Sequence, residues 1–460
     1  MQPTTFILND KQVVASGPQS APLLDYLRES ARLCGTKIGC REGDCGACTV
    51  LVGRIVNGDL SYRSFTSCLM PIGRAQGCHV VTIEGIRGAE LTPVQRAMVE
   101  QSASQCGFCT PGFVMSMTAF ALEGRRESDL RTVVDGNICR CTGYKSIERA
   151  LAKLSDNLNG APNTPDRLTW LIEHGYVPGY FKEVADRLRE LNAEPVAGSG
   201  TVVLSGGTDL NVQRPESMLS ETPIWPALPT TDDPFVVADG YVSCPGSASM
   251  EQLRLSSTVS QLIPNINEYL RLVASTPVRS LASIAGNLAN ASPIGDTTIM
   301  LLALGAELDL GEGWLPLDEF YLGYKQTARR PDQIIECIRF PVPSPYFHFE
   351  KVSKRTHLDI ASVNTAMHIR VQESVITSAR LSAGGVAPIP LFLRHTSSQL
   401  IGLTVNAETA SWAAQMASDE AQPISDIRGS AEYKRMLLER LVLAHFISLF
   451  PSIEAEVAVS

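Results

Sequence analysis

The chain opens on alternating apolar and polar positions. Thr5-Phe-Ile-Leu8 and Gln12-Val-Val14 flank Asn9-Asp10, the pattern of a β-hairpin. Leu23, Leu24, Leu27 and Leu33 then recur at roughly helical spacing between Pro22 and Leu33. A loop rich in glycine and cysteine follows. Next come a predicted strand at Thr49 to Val52, a turn at Asn57-Gly58 and a closing strand at Val80-Val-Thr-Ile83. From residue 90 to 156 the alternation gives way to helical periodicity. Thr92-Pro93 places a capping residue before a proline at the first helical position, and Thr110-Pro111 repeats the signal ahead of GFVMSMTAFAL. Gly143 to Leu154 is a further amphipathic stretch.

These patterns divide the chain. Residues 1–86 form a small mixed domain and 87–156 a helical one. Pro, Asn and Gly crowd residues 157–180, which read as a linker. A helix from Phe181 to Leu191 opens the next domain, residues 181–343, whose edge between 191 and 203 is weakly patterned. Residues 344–460 form a last α+β unit, with strands near 348–352, 364–371 and 377–384 and helical runs at 407–418 and 430–449. No internal repeat or low-complexity tract interrupts the order.

Composition narrows the class. The 460 residues are 44% hydrophobic and 19% charged, with a net charge of −9. An acidic chain without basic runs argues against nucleic acid or an anionic membrane as the main partner. MQPTTFILND lacks a charged segment followed by a long apolar one, so no secretory signal is expected, and no stretch of about 18 apolar residues predicts a membrane span. The cysteines cluster rather than spread, which in a reducing compartment means metal. The expected location is the cytoplasm.

Eight of the twelve cysteines fall into two sets. Cys40, Cys45 and Cys48, with Cys68 further on, have the plant-type 2Fe–2S spacing. Gly39, Gly43 and Gly46 let backbone amides approach the sulfurs and tune a negative cluster. The competing reading is a structural zinc site, but zinc usually takes two CxxC-type knuckles, and the four-residue gap with interleaved glycines suits a cluster better. Cys106, Cys109, Cys139 and Cys141 are less diagnostic alone. They fit zinc, a redox dithiol or a second cluster, and the last gains from proximity to the first set and from placement near helix starts. Cys34, Cys78, Cys244 and Cys337 have no partner at ligand spacing and read as ordinary thiols. The seven histidines, His79, His174, His348, His357, His368, His395 and His445, are scattered and read as structural.

CREGDCGACTV, SQCGFCTPGF and GNICRCTGY together resemble the paired 2Fe–2S domains of the molybdenum hydroxylases, a family that includes xanthine dehydrogenases and aldehyde oxidases. The resemblance covers residues 1 to about 155. It implies a multidomain α+β protein: a β-grasp ferredoxin domain, a four-helix 2Fe–2S domain, a two-part α+β FAD-binding domain and a C-terminal α+β lobe. Cys40, Cys45, Cys48 and Cys68 would hold one cluster, and Cys106, Cys109, Cys139 and Cys141 the other.

The later segments are similar to the family's flavin domain. Val203, Leu204, Ser205, Gly206, Gly207, Thr208, Asp209 and Leu210 make a strand, a double glycine and a polar turn, whose glycines let amides close on a pyrophosphate. The second loop holds Val278, Ser283, Gly286, Asn287, Asn290, Gly295 and Asp296 in a run poor in large side chains. In the family this pair of loops holds FAD. The resemblance also puts Ile335 near the flavin, and Lys351 and Asp359 near its ring; from the residues alone the last two read as surface charges. Ala285 stands where the family has the first glycine of GGN. No G-x-G-x-x-G follows a strand, so a Rossmann site is not supported, and NAD+ would lie over the flavin.

The resemblance stops after the flavin lobe. It therefore implies a molybdopterin-containing large partner subunit, in a dimer of heterodimers, and looks most like the small subunit of bacterial xanthine dehydrogenases. That implies electron transfer from molybdenum through both clusters to FAD and NAD+ as hypoxanthine or xanthine becomes urate. No side chain of this chain need act as an acid or base. The alternatives are the iron–sulfur/FAD subunit of an aldehyde- or N-heterocycle-oxidising relative and a zinc-stabilised structural or binding module.

Overall fold

The computed structural model describes residues 3–124, 130–163, 166–191 and 200–453. The expected domain edge thus falls partly outside the described residues, at 192–199. The chain divides into two compact units, Met1–Asp232 with Ala274–Ala282, and Asp233–Val273 with Ser283–Ser460.

The first unit begins with a five-stranded sheet. β1 (Thr4–Leu8) and β2 (Lys11–Ala15) form the predicted hairpin. β3 (Thr49–Val56) and β4 (Asp59–Thr66) turn at Asn57 and Gly58, both at positive φ, the geometry a tight hairpin wants. β5 (His79–Val81) runs parallel to β1 and antiparallel to β3, giving the order β2-β1-β5-β3-β4. It stops before Ile83, because Thr82 turns to bond Asn9 through its amide at 2.9 Å. Phe6, Leu24, Leu27, Val50 and Val80 bury one face of this sheet.

The helical part follows the capping signals with one shift. Thr92 and Gln95 close a capping box on helix Pro93–Glu100. Helix Thr110–Glu123 starts one residue earlier than its signal, with Cys109 at the cap. Thr110 spends its hydroxyl on Ser104, 2.7 Å away, instead of capping. Helix Lys145–Asn157 is the third. A fourth helix, Arg167–Glu173, lies in the stretch expected to be a linker. Leu171, Tyr176 and Val177 are buried in the same core as Phe113 and Leu151, and Arg167 Nε donates to the carbonyl of Ala121 at 2.7 Å. The stretch read as a linker thus holds a short apolar helix among its prolines and glycines.

Helix Phe181–Glu190 was expected to open the next domain. Its apolar face covers the first sheet. Phe181 sits 5.4 Å from the ring of Tyr62 and 5.2 Å from that of His79, while Val184 and Leu188 pack on Ile7. The first compact unit therefore continues through β6 (Val202–Val203) and its parallel partner β7 (Pro223–Ile224). It also takes in helix Thr276–Leu281. The buried Arg279 of that helix meets Asp135 at 3.1 Å.

The second unit has two sheets. In one, β8 (Val236–Ala238), β9 (Tyr241–Pro245), β10 (Glu307–Asp309), β11 (Trp314–Pro316) and β14 (Cys337–Pro341) take the order β11-β10-β14-β9-β8. A short hairpin, β12 (Tyr321–Gly323) with β13 (Gln326–Thr327), stands apart. The other sheet is an antiparallel meander of β15 (Tyr346–Val352), β16 (Val363–Gln372), β17 (Val375–Gly384) and β18 (Leu391–Phe392). Helices Ala407–Glu420 and Ala431–Leu449 share its core, where Met367, Leu381, Leu438 and Phe446 are buried. Apart from β18, these are the strands and helices that the sequence pattern predicted. Among the described residues no helix is long and apolar enough to cross a membrane.

Candidate cofactor sites

In the first set, Cys40 and Cys45 share a hydrogen bond, as do Cys48 and Cys68. In each couple one thiol leans to the anion. The bond from Cys45 pulls Cys40 down to about 5, and Cys45 is pushed up in turn. Cys48 is lowered by Cys68, whose own thiol is raised by that bond and by burial. Backbone amides converge on these sulfurs: Glu42 N reaches Cys40 Sγ at 3.3 Å and Cys40 N reaches Cys45 Sγ at 3.4 Å. A side chain at Gly39 would press within 2.5 Å of Cys45 Sγ, so glycine there is a matter of room for sulfur.

The second set repeats the grouping. Cys141 Sγ lies 3.7 Å from Cys106 Sγ, and Cys109 bonds Cys139. Burial, then the bond with Cys139, pushes Cys109 up to about 12. Cys139 is lowered: burial opposes this, but the hydroxyl of Thr142 at 3.1 Å and its amide at 3.4 Å outweigh it. Among the described residues no three His, Cys, Asp or Glu side chains are arranged to hold a metal ion together. The eight thiols stand two by two. That grouping fits a two-iron cluster, in which each iron takes two protein ligands.

The two sets adjoin through the backbone. The amide of Ile138, the residue before Cys139, donates to the carbonyl of Cys45 at 3.0 Å. Asn137 Nδ2 bonds Gly46 O at 3.1 Å, and Ser116 bonds Asn137 Oδ1 at 2.7 Å. Gly46 holds φ +66°, and a Cβ there would run into the carbonyl of Gly136. Sequence reasoning missed Asn137 and Thr142. Their only signal is a place beside cysteines, and the contact they make spans about 90 residues of chain for Asn137.

The expected flavin residues divide between the units. Val203 ends β6, and Leu204 to Leu210 lead from it into a short helical turn, Leu210–Gln213. Val278 lies on helix Thr276–Leu281, and its Cγ2 would be 3.0 Å from a Cβ on Gly43, in the first cysteine loop. The amides of Ser205, Gly206, Gly207 and Thr208 make no hydrogen bond to any described residue, although both glycines are buried. Buried amides are nearly always paired. Four consecutive amides with no partner among the described residues are donors of the kind that would suit an anion such as the diphosphate of FAD.

In the second unit, Ser283 caps helix Ile284–Ala289 by accepting from Gly286 N. Asn287 Oδ1 accepts from Thr298 at 3.1 Å, and Asn290 is held by Lys325, whose Nζ lies 2.6 Å from its Oδ1. Gly295 is the cap of helix Asp296–Leu304. Asp296 and Lys351 meet at 2.7 Å with side chains only 10% and 2% exposed. Lys351 Nζ also bonds the carbonyl of Leu272 at 2.7 Å. Lys351 is thus no surface charge. Asn364, unmarked by sequence, completes the cluster: its Nδ2 bonds Asp296 Oδ1 at 2.5 Å, and its own Oδ1 is buried without a partner among the described residues. Ile335 is buried just before β14, with its carbonyl against Gly246. Asp359 stands apart from this cluster and accepts from the amides of Arg355 and Ile360 at 2.9 and 3.1 Å.

Residues 6–72 match the 2Fe-2S iron-sulfur cluster binding domain and residues 82–152 the 2Fe-2S binding domain that accompanies it. Residues 175–343 match the FAD binding domain in molybdopterin dehydrogenase, and residues 348–449 the CO dehydrogenase flavoprotein C-terminal domain. Among curated relatives, the xanthine dehydrogenase/oxidase of Rattus norvegicus is 30% identical over 94% of this chain and 38% of its own length. The xanthine dehydrogenase of Drosophila subobscura is 26% identical over 96% of this chain and 39% of its own. The chain therefore spans under two fifths of the length of these relatives. A cyanide-inactivated Cu,Mo-CO dehydrogenase structure aligns with 54% of this chain and 88% of its own at 23% identity, TM-score 0.49.

Two 2Fe–2S domains followed by an FAD-binding domain make this an iron–sulfur flavoprotein. The chain carries, in order, matches to two 2Fe–2S domains, the FAD binding domain in molybdopterin dehydrogenase and the CO dehydrogenase flavoprotein C-terminal domain.

Proposed function

We propose that the chain is the electron-transfer subunit of a xanthine dehydrogenase. It would work with a molybdopterin-containing large subunit that oxidises hypoxanthine and xanthine to urate, with NAD+ as acceptor and a dimer of heterodimers as the assembly. The observation that carries this reading is the arrangement of eight thiols in two-by-two sets, joined by the bond from Ile138 to Cys45, in the same unit as a nest of free amides. The names of the relatives over nearly the whole chain support the substrate.

When bound, the clusters supply one-electron carriers and FAD an acceptor for two electrons, which a hydride acceptor requires. The residues of this chain do the holding. Cys40, Cys45, Cys48 and Cys68, with Cys106, Cys109, Cys139 and Cys141, are the iron ligands, and the amides around them favour the thiolate state. Ser205 to Thr208 hold the diphosphate on backbone donors. Lys351, Asp296 and Asn364 form a buried polar cluster beside the second loop, so a ligand there meets fixed groups rather than water. Asp359 braces its own loop.

The test is the complex purified with its native partner. About four irons and one FAD per copy of this chain are expected, with molybdenum on the partner. NADH formation on adding xanthine supports the substrate reading. Activity confined to an aldehyde or another N-heterocycle moves the chain to a different molybdenum hydroxylase. Zinc in place of iron, with no flavin absorbance, sinks both.

A further inference from the structure

The free amides of the first flavin loop are held in place by a residue of the iron–sulfur domain. Arg74 lies in the turn Ile72–Ala75, shortly after Cys68, and is 8% exposed. Its Nε donates to Ser205 O at 2.8 Å, Nη2 to Leu204 O at 3.0 Å and Nη1 to Pro226 O at 3.0 Å. The guanidinium also lies 4.9 Å from the ring of Trp225. Among the described residues no carboxylate pairs with it. Burial, and after it the second cation Arg54, lower it to about 9.

Two physical points follow. A buried cation without an anion is costly and calls for a complement. In a trans peptide the carbonyl and the amide point in opposite directions. With the carbonyls of Leu204 and Ser205 held on Arg74, the amides of Ser205 and Gly206 face the other way. They join those of Gly207 and Thr208 in having no partner among the described residues. Gly207 itself rests on Pro71 and the carbonyl of Leu69, which also accepts from Asn211 Nδ2 at 2.9 Å. The loop is thus propped from behind by the segment Leu69–Arg74.

We propose that Arg74, from the iron–sulfur domain, is a positioning residue for the FAD diphosphate. It aims the amides of residues 205–208 and supplies the positive charge that the loop's own side chains lack. This rests on assigning FAD to that loop. It makes flavin binding in this chain depend on the ferredoxin domain.

The test uses the full chain stripped of flavin, with FAD and riboflavin as titrants followed by fluorescence quenching. Arg74→Gln should raise the Kd for FAD by about 100-fold. It should leave riboflavin, which has no phosphate, within about twofold, and iron content and cluster absorbance unchanged. Arg74→Lys, which keeps the charge with fewer donors, should recover part of the lost FAD affinity. Unchanged FAD binding in Arg74→Gln, or equal losses for FAD and riboflavin, overturns the proposal. If Arg74→Gln does not fold, Arg74→Lys decides alone: a loss confined to FAD supports it, and wild-type or uniformly weakened binding overturns it. If the unmutated chain binds riboflavin and FAD equally well, or neither, the assignment of FAD to the loop falls first.

Discussion

Lys351 and Asp296 stand 55 residues apart, and each alone has the composition of a surface charge. Folding brings them to 2.7 Å in a nearly dry setting. A buried pair that loses one member leaves the other charge uncompensated. Lys351→Met should therefore lower stability by about 3 kcal/mol, read as a shift in the denaturant midpoint of the second unit's transition. An effect below about 0.5 kcal/mol would mean that solvent reaches Asp296. The cysteines make a sharper prediction. Cys68→Ser should reduce iron from about four to about two per chain and remove one paramagnetic signal, because it breaks one ligand set. Cys34→Ser should change neither, since that thiol is exposed and outside both sets. Cysteine spacing was legible because ligands to one cluster are close in sequence. The burial of Lys351 was not legible, because its partner Asp296 is distant in the sequence.

At the scale of elements, β15 and β16 are locked to helix Ala431–Leu449 by a buried chain of polar groups. His348 Nδ1 meets His445 Nδ1 at 2.9 Å, and Thr365 Oγ1 meets His445 Nε2 at 2.8 Å. Burial lowers both histidines below their ordinary value, His445 most strongly, and His348 also faces Glu350 at 3.5 Å. In the same unit burial takes His368 down to about 4. Groups whose folded pKa is depressed stay neutral in the native state while the unfolded chain takes up protons. Stability is thus full above about pH 6.5 and falls as the pH drops below it, by up to about 1.4 kcal/mol per pH unit for each such histidine. Denaturation followed between pH 7 and 5 should show this slope, and His445→Phe should flatten it; an unchanged slope would assign the protons elsewhere. The strands and helices themselves were legible because β16 and β17 run 10 residues each and the last helices are long. Helix Arg167–Glu173 was not, because seven residues between proline- and glycine-rich stretches carry too few turns to signal a period.

For the whole molecule, the division into two units carries the next expectation. All eight cluster cysteines belong to the first unit. Iron that binds only the folded state stabilises the unit that holds it. Chelating iron under reducing conditions should lower the first unit's unfolding temperature and leave the second unit's in place, as two transitions in calorimetry. A common fall in both would show that the units unfold together. The same division places helix Phe181–Glu190 and the loop after β6 in the first unit with the cysteine sets. No pattern in residues 181–210 marks that, because an amphipathic helix announces an apolar face but not the surface that will cover it.

Local chemistry can be read from the sequence by itself. It determined the two cysteine sets, the β-hairpin, the helix capped at Thr92, the C-terminal meander with its helices and the glycine pair after β6. Each depends on residues within a few turns or one short loop of one another, where spacing and periodicity carry the information. Tertiary structure alone decided which thiols stand together, that Ile138 bonds Cys45, that Asn364 joins Lys351 and Asp296, and that Arg74 holds the loop of Leu204 and Ser205. The bonds of Ile138 to Cys45, Asn364 to Asp296 and Arg74 to Leu204 and Ser205 join segments from about 70 to 130 residues apart, and they are selected by what must be buried together: charges need partners, and amides need acceptors, wherever in the chain these lie.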